Sequence, residues 1–438
     1  MTASAPGEGL SVSTPPGGKA TFRSVFAVRE FRTLFGTILL SLAGDELARV
    51  ALAVLVYQRT SSPLLSAVTF AISYLPWLVG GPLLATLADR FPRHRVLIAT
   101  DAARAVVVAG MAIPGMPLPA LLALMFVLSC GSPPFESARS ALFADILDGD
   151  RYAVANSLTN VGGSLAQVGG VLVAGGLSAA LNPSAALLID AASFAVSAVW
   201  LSTGLRRRPA PIDDDGGRPW SIWADVSEGL RFIGRSSRLR AIIGITWLGS
   251  LFLAAFDGVV VPLVGSLGGG PTAVGVLLAA NPCGLMVGGL VLARFVPQDL
   301  REKWVPQLML LSLLPLLLAG LVTAYAPPGR TTFAVVVGLM FVSGLGSAWS
   351  IALNIAFVQE VPTRYRGRAY GVAVTGLNGV QGLGILVAGF LAEWLSPSAV
   401  VALLGSVGVA VVTLPLLVYW RTRPSVASGA AAAGPSVS

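Results

Sequence analysis

Residues 167–185 read QVGGVLVAGGLSAALNPSA, and residues 381–399, which lie 214 positions later, read QGLGILVAGFLAEWLSPSA. Eleven of the nineteen positions are identical, and the match continues from an apolar segment into the turn that follows it. Apolar segments of low complexity often match by chance, but a turn that keeps Pro-Ser-Ala in both copies is harder to obtain that way. The stretch therefore indicates an internal duplication.

The composition around this repeat is that of a membrane protein. Charged residues make up 11% of the 438 residues, against about 25% in soluble domains, which argues against a water-soluble enzyme. Apolar residues make up 55%, enough for twelve helices of about 20 residues each. The apolar runs predict twelve spans, at 33–58, 63–88, 96–113, 118–145, 153–179, 184–204, 239–265, 271–293, 304–325, 332–359, 369–394 and 398–420.

The duplication relates the first six spans to the last six. At an offset of 208 positions, Arg32 matches Arg240, Gly36 matches Gly244, Leu40 matches Leu248, Pro63 matches Pro271, and Val79-Gly80-Gly81 matches Val287-Gly288-Gly289. Because six spans separate the copies, matched helices cross the membrane in the same direction. The sequence therefore predicts an all-α protein of two parallel six-helix halves, with a substrate site between them.

The basic residues predict the orientation of the chain. Twenty-four of the 29 lie in the two tails and in the connections after even-numbered spans, whereas the other connections hold only Arg59 and Arg330. By the positive-inside rule, both termini are expected in the cytoplasm. The net charge of +8 is spread along the chain rather than gathered in one patch, so no nucleic-acid partner is expected.

The predicted domain organisation follows from these spans. Disordered cytoplasmic tails are expected at 1–28 and 421–438, six-helix halves at 29–204 and 239–420, and a cytoplasmic linker at 205–238. Within the linker, residues 220–235 place apolar side chains on one helical face and arginines on the other, which favours an amphipathic helix at the membrane interface. An ordinary linker is the alternative.

The connection after span 2 reads ATLADRFPRHR at positions 85–95. It resembles the loop signature of the major facilitator superfamily, whose members have twelve spans in two halves. Asp89, Arg90 and Arg93 match the signature, whereas Ala85 and Pro92 stand where it has glycines. The resemblance implies that this loop, together with Asp101 and Arg104, locks the halves together on the cytoplasmic side.

Further stretches resemble the bacterial macrolide and siderophore exporters of this superfamily. These stretches are Gly44-Asp45 with Arg49-Val50-Ala51-Leu52, Asp101 with Arg104, Ala138-Arg139-Ser140-Ala141-Leu142, and Asp190-Ala191-Ala192-Ser193-Phe194. The resemblance covers about residues 29–420 and implies a multi-pass protein of a bacterial-type plasma membrane.

A charge inside the bilayer costs at least about 2.5–3.5 kcal/mol, so each one should have a partner or a function. The candidates for proton coupling are Asp45, Glu46, Arg49, Glu136, Arg139 and Asp257. Arg49 and Asp257 are 208 positions apart and hence repeat-equivalent on spans 1 and 7. The resemblance to the superfamily implies that these two spans face each other across the cavity, so Arg49 and Asp257 are expected to pair in its outer half. Breaking such pairs as the halves rock would change the proton affinity of the carboxylates. The alternative is that the pairs are static and hold helices together.

A substrate cavity needs apolar bulk with a few polar anchors. The candidates are Trp247, Phe256, Asn281, Trp349, Asn354 and Gln381, although an aromatic residue on a membrane helix can equally face lipid or pack in the interior. No metal or cofactor site is expected, since His94 is the single histidine. The chain has no complete ATP-binding loop, because Gly18-Lys19 is followed by alanine.

These features predict a secondary active exporter of amphipathic small molecules, drug-, macrolide- or siderophore-like, driven by protons and acting by rocking of the two halves. The expected partners are the substrate, protons and the lipid bilayer, and the chain is expected to act as a monomer rather than as an enzyme. An uptake symporter of the same fold and a non-transporting membrane sensor or scaffold are the alternatives.

Overall fold

The protein is a bundle of long helices in a computed structural model that describes residues 21–79, 91–147, 149–181, 183–208 and 222–421. No strand occurs in these ranges, which agrees with the predicted all-α class. In the first half the helices are Phe22–Phe26, Arg29–Thr60 (span 1), Pro63–Ile72 and Leu75–Val79 (span 2), Arg93–Met111 (span 3), Leu118–Cys130 and Ser132–Ile146 (span 4), Gly149–Ala180 (span 5) and Pro183–Gly204 (span 6).

The second half follows the linker helix Ile222–Arg235. Its helices are Ser237–Ala255 and Val260–Ser266 (span 7), Pro271–Phe295 (span 8), Gln298–Arg301 and Val305–Tyr325 (span 9), Arg330–Gly346 and Trp349–Glu360 (span 10), Thr363–Leu391 (span 11) and Pro397–Arg421 (span 12). Short 3-10 turns, Phe256–Gly258 and Glu302–Trp304, interrupt span 7 and precede span 9.

Nine helices of the described chain are long and apolar enough to cross a membrane, and they correspond to spans 4 to 12. Span 1 is not among the nine because it carries Asp45, Glu46 and Arg49. Span 3 is not among them because it carries arginines at its start and a second charged pair, Asp101 and Arg104, further along. Part of span 2 lies at residues 80–90, outside the described residues. The total of twelve crossings therefore stays a prediction.

The packing of the helices repeats between the halves. Span 1 packs on spans 5 and 6, and span 3 on span 6; in the same way span 7 packs on spans 11 and 12, and span 9 on span 12. Between the halves, span 5 packs on span 8 and span 2 on span 11. Span 5 is equivalent to span 11 in the duplication, and span 8 to span 2. The two contacts are therefore related by an axis along the membrane normal. The predicted parallel duplication is confirmed.

The outer surface of the bundle is apolar. Large side chains such as Val106, Leu290, Phe295 and Leu414 are between 67 and 75% exposed, while polar Ser197 and Ser312 are buried in the bundle. Such a surface would aggregate in water, but it matches the hydrocarbon of a bilayer. The chain is therefore a multi-pass membrane protein.

The odd-numbered spans all begin at one end of the bundle, which is called the basic end because Arg29, Arg93, Arg151, Arg238 and Arg368 lie there. The other end is called the opposite end. At the opposite end the chain turns sharply between spans 1 and 2. Ser61 takes a left-handed conformation with φ 52°, and the Ser62 side chain caps the next helix by accepting a hydrogen bond from the Leu65 amide at 3.1 Å.

The linker helix Ile222–Arg235 docks on the basic end of span 11. Arg368 donates to Glu228 at 2.5 Å, and the rings of Phe232 and Tyr365 stack with centroids 4.7 Å apart. Ile233 is only 7% exposed, because it belongs to the same apolar core as spans 7 and 11. Part of the amphipathic face predicted from the sequence is thus covered by protein; its placement at a membrane interface stays a prediction.

Candidate functional site

Two cavities lie between the halves. The first, of about 710 Å³, extends toward the basic end and is lined by Asp45, Arg104, Glu136, Arg139 and Tyr370 among others; it is called the basic-side cavity. The second, of about 390 Å³, is called the central cavity and is lined by Asp257, Asn281, Ser343, Trp349 and Gln381 among others.

Glu46, Arg49 and Tyr74 line both cavities and form the boundary between them. Glu46 and Arg49 are three residues apart on one helical face and form an ion pair. The Gln167 amide donates a hydrogen bond to Glu46 at 3.2 Å, and the guanidinium of Arg49 lies 5.9 Å from the centre of the Phe70 ring. Spans 1, 2 and 5 therefore meet at this boundary.

Asp257 lies at a break in span 7. The helix ends at Ala255, residues 256–258 form a 3-10 turn, and the next helix begins at Val260. A glycine is required beside Asp257, because a Cβ on Gly258 would lie 2.4 Å from the Ile385 carbonyl oxygen of span 11. The break places Asp257 in the wall of the central cavity.

The predicted ion pair between Arg49 and Asp257 is not formed among the described residues. Both side chains line the central cavity, but Arg49 pairs with Glu46 instead. Glu46 is one helical turn from Arg49 on the same helix, so it can pair with Arg49 without any movement of the halves. Asp257 belongs to the other half.

Arg104 is the centre of a buried polar cluster in the first half. Its guanidinium, 3% exposed, lies 3.8 Å from carboxylate oxygens of both Asp45 and Asp101. It also donates to the hydroxyls of Ser41 at 3.2 Å and Ser132 at 2.8 Å. Spans 1, 3 and 4 are thereby joined through one side chain.

Asp45 is four residues before Arg49 on span 1, but its carboxylate lies near Arg104 of span 3. Asp101 and Arg104 lie about two to three helical turns further along span 3 than Arg93. Their assignment to the cytoplasmic gate stays a prediction.

At the basic end itself, Arg93 forms an ion pair with Asp145 at the end of span 4 and donates to the Ala141 carbonyl at 3.4 Å. The other two gate residues, Asp89 and Arg90, lie outside the described residues. On span 4, Glu136 and Arg139 form an ion pair one turn apart and line the basic-side cavity, where the Glu136 side chain is 45% exposed.

Four of the six predicted substrate residues, Phe256, Asn281, Trp349 and Gln381, line the central cavity. The other two line neither cavity. The indole of Trp247 donates to the Ala373 carbonyl at 3.0 Å and packs on Gly376, so it holds spans 7 and 11 together. Asn354 lies on an exposed face of span 10.

No functional role follows from the sequence for Gln167 or Tyr74, and Asp190 stands out there only as part of a stretch that resembles the exporters. For Gln167 a signal was available: it opens the repeated block, and its equivalent Gln381 lines the central cavity. No comparable signal marks Tyr74, since its position depends on the rotation of span 2.

The halves touch closely at the opposite end, through glycines that the duplication relates. On spans 5 and 8, a Cβ on Gly175 would lie 2.9 Å from the Cα of Gly275, and a Cβ on Gly275 would lie 2.7 Å from the Val171 carbonyl oxygen. On spans 11 and 2, a Cβ on Gly389 would lie 2.3 Å from the Cβ of Ala67. Gly389 is 214 positions after Gly175, and Gly275 is 208 after Ala67. These two contacts are called the glycine seal.

A carboxylate adds a polar contact to the second crossing. Glu393, just beyond span 11, accepts a hydrogen bond from the Ser62 hydroxyl at 2.5 Å and another from the Leu64 amide at 3.0 Å. An acidic group is favourable there because Leu64 lies in the first turn of a helix, whose free amides carry partial positive charge. The opposite end is therefore closed by contacts between the halves.

Two pseudo-symmetric helical halves with charged side chains in a central cleft are the architecture of a membrane transporter. The sequence matches the profile of the Major Facilitator Superfamily over residues 34–303 and again over 246–436. The chain belongs to this superfamily.

Relatives and solved structures agree with this assignment. Multidrug efflux pump Tap of Mycobacterium tuberculosis is 27% identical over 392 residues, which cover 83% of this chain and 87% of Tap. Macrolide efflux protein A of Streptococcus pyogenes is 18% identical over 373 residues, covering 83% of this chain and 89% of that protein. The fold resembles the crystal structure of a POT family transporter in complex with a thioalcohol-conjugated peptide, with TM-score 0.73, 14% identity and coverage of 90% and 97% of the two chains. The predicted resemblance to the superfamily and to its exporters is confirmed.

Proposed function

We propose that this protein exports amphipathic small molecules from the cytoplasm and is driven by proton entry. The observation that carries the proposal is the set of ionisable side chains that line the central cavity, with Glu46 and Arg49 from one half and Asp257 from the other. A fixed scaffold would gain little from such charges, because each is costly inside a bilayer.

The basic end faces the cytoplasm in this proposal, as the positive-inside rule indicates. The described state then has its outer end closed by the glycine seal, with the basic-side cavity on the cytoplasmic side of the boundary. Substrate enters from this side, and rocking of the halves opens the seal and exposes the central cavity to the exterior. Protons binding from outside to carboxylates of the central cavity favour the return.

The chemistry of the cavities supports an amphipathic substrate. The central cavity combines apolar walls, such as Leu277 and Met340, with the hydroxyls and amides of Ser343, Asn281 and Gln381. The names of the relatives, a multidrug pump and a macrolide efflux protein, favour drug-like molecules. A protein of this kind needs only the substrate, protons and the bilayer as partners, and it would act as a monomer.

Transport into inside-out vesicles tests the proposal. A panel of fluorescent dyes, macrolides and siderophores is added outside vesicles whose lumen has been acidified. Accumulation of the compound in the lumen should stop when a protonophore collapses the proton gradient. Accumulation that survives collapse of the gradient would contradict proton coupling. Gradient-driven uptake into right-side-out vesicles, without accumulation in inside-out ones, would favour the symporter, and no driven movement of any compound in either orientation would favour a sensor or scaffold.

Neutralising Asp257 should abolish gradient-driven accumulation, because an asparagine cannot exchange a proton in the central cavity. Asp257→Asn is compared with Asp150→Asn, a matched change at an exposed position of the basic end. Initial rates in inside-out vesicles are normalised to protein amount, and the first variant should fall to the level of empty vesicles while the second keeps the native rate. Native transport in Asp257→Asn would remove this residue from the coupling site.

A further inference from the structure

Among the described residues of the first half, Asp190 and Asp101 are the most enclosed acidic side chains. Asp190 lies on span 6 and is 0% exposed. One carboxylate oxygen, Oδ1, accepts a hydrogen bond from the Ser193 hydroxyl of its own helix at 3.2 Å. The other, Oδ2, is buried without a hydrogen-bond partner among the described residues. A carboxylate this poorly satisfied is costly in its ionised form.

Span 1 provides the space that Asp190 occupies. A Cβ on Gly44 would lie 2.2 Å from Oδ1 of Asp190 and 2.8 Å from the Ser193 hydroxyl oxygen. Any larger residue at position 44 would therefore displace the carboxyl group. The residue after this glycine is Asp45, whose side chain is 35% exposed and lines the basic-side cavity. The buried carboxyl group thus packs against the residue that precedes an accessible carboxyl group on span 1.

The surrounding charges do not balance. Spans 1 and 3 pack on span 6 and present Asp45, Asp101 and Arg104 toward this region, so one guanidinium lies among three carboxyl groups and contacts only two of them. The other charged pair of span 1, Glu46 with Arg49, is internally neutral. Arg104 contacts Asp45 and Asp101, and Asp101 also accepts a hydrogen bond from Ser197 at 2.5 Å. Asp190 has neither a guanidinium contact nor a second hydroxyl.

We infer that Asp190 is the proton-binding residue of the first half and carries its proton in the described state, with Asp45 relaying protons between it and the basic-side cavity. In the relay, the O–H bond of a protonated Asp45 breaks as one forms on Asp190, and Arg104 stabilises the negative charge left on Asp45. The inference rests on the proposed proton coupling but assigns the proton to a residue outside the boundary between the halves.

Infrared spectroscopy of the purified protein in lipid tests the protonation directly. At neutral pH the native protein should show the carbonyl band of a protonated carboxylic acid, and Asp190→Asn should lose one carboxyl equivalent of it. Asp150→Asn, at an exposed position, should lose none. Because an amide has nearly the shape of a neutral carboxyl group, Asp190→Asn should also melt close to the native temperature. An unchanged carbonyl band in Asp190→Asn would overturn the inference.

The transport assay separates this inference from the proposed function. Asp190→Asn should lose gradient-driven accumulation while it still equilibrates substrate down a concentration gradient, a combination that a damaged fold would not give. If the native protein transports none of the panel, the proposed function fails and the infrared result still decides the protonation of Asp190. If the native protein is proton-driven and Asp190→Asn is equally so, the inference alone fails.

Discussion

Arg104→Leu should destabilise the protein by about 3–5 kcal/mol, the cost of breaking a buried ion pair from one side. The guanidinium is 3% exposed and serves two carboxylates at 3.8 Å. It also lies 5.5 Å from the ring centres of both Phe135 and Phe194. A leucine would fill part of the volume but would leave Asp45 and Asp101 without a counter-charge and two serines without their donor.

Thermal unfolding in detergent measures this effect, with Arg330→Leu as the control. Arg330 is exposed at the opposite end, and a surface substitution of this kind usually changes stability by less than about 0.5 kcal/mol. Adding Asp101→Asn to Arg104→Leu should restore part of the loss, since one fewer carboxylate then needs compensation. A melting temperature of Arg104→Leu equal to that of Arg330→Leu would contradict the role given to the cluster.

Gly275→Val should shift the protein toward the state that is open at the opposite end. The valine side chain would collide with the backbone of span 5, because a Cβ at position 275 already lies 2.7 Å from the Val171 carbonyl oxygen. Overpacking of this kind costs about 1–3 kcal/mol, and only the closed state pays it. The population of the open state should rise by about 5- to 150-fold.

A thiol-accessibility assay measures this shift. Cys130 and Cys283 are replaced by serine, and a single cysteine is placed at Ser250, in the wall of the central cavity. A membrane-impermeant thiol reagent applied from the opposite end should label this cysteine faster in Gly275→Val than in the native background. Gly176→Val is the matched control, because a Cβ at position 176 meets no atom within 4 Å. Equal labelling of the two variants would show that the glycine seal does not hold the outer end closed.

The sequence was sufficient for the architecture and for part of the site. The repeated block at 167–185 and 381–399 predicted two equivalent halves, and the crossings of spans 5 and 8 and of spans 2 and 11 agree with it. Ion pairs within one helix, such as Glu136 with Arg139, follow from a spacing of three residues.

Contacts between spans could not be predicted in the same way. Membrane helices are apolar on most of their circumference, so the sequence carries little information about which face of a helix meets which neighbour. Three features depend on how each helix is rotated about its own axis, which the sequence does not show. They are the contact of Arg104 with Asp45, the packing of Asp190 against Gly44 and the position of Tyr74 in the cavity wall. For the same reason, the sequence placed Trp247 and Asn354 in a cavity that they do not line.

The glycine seal has a consequence for the speed of the working cycle. A close contact between helices through glycine and alanine excludes water while it is closed, and its separation leaves no polar side chain unsatisfied in the hydrocarbon. The polar contact in which Glu393 accepts hydrogen bonds from Ser62 and Leu64 is exposed at this end, so water can replace it at little cost. In the proposed transport cycle, opening therefore requires no desolvated intermediate, which suits a contact that separates and forms again in every turnover.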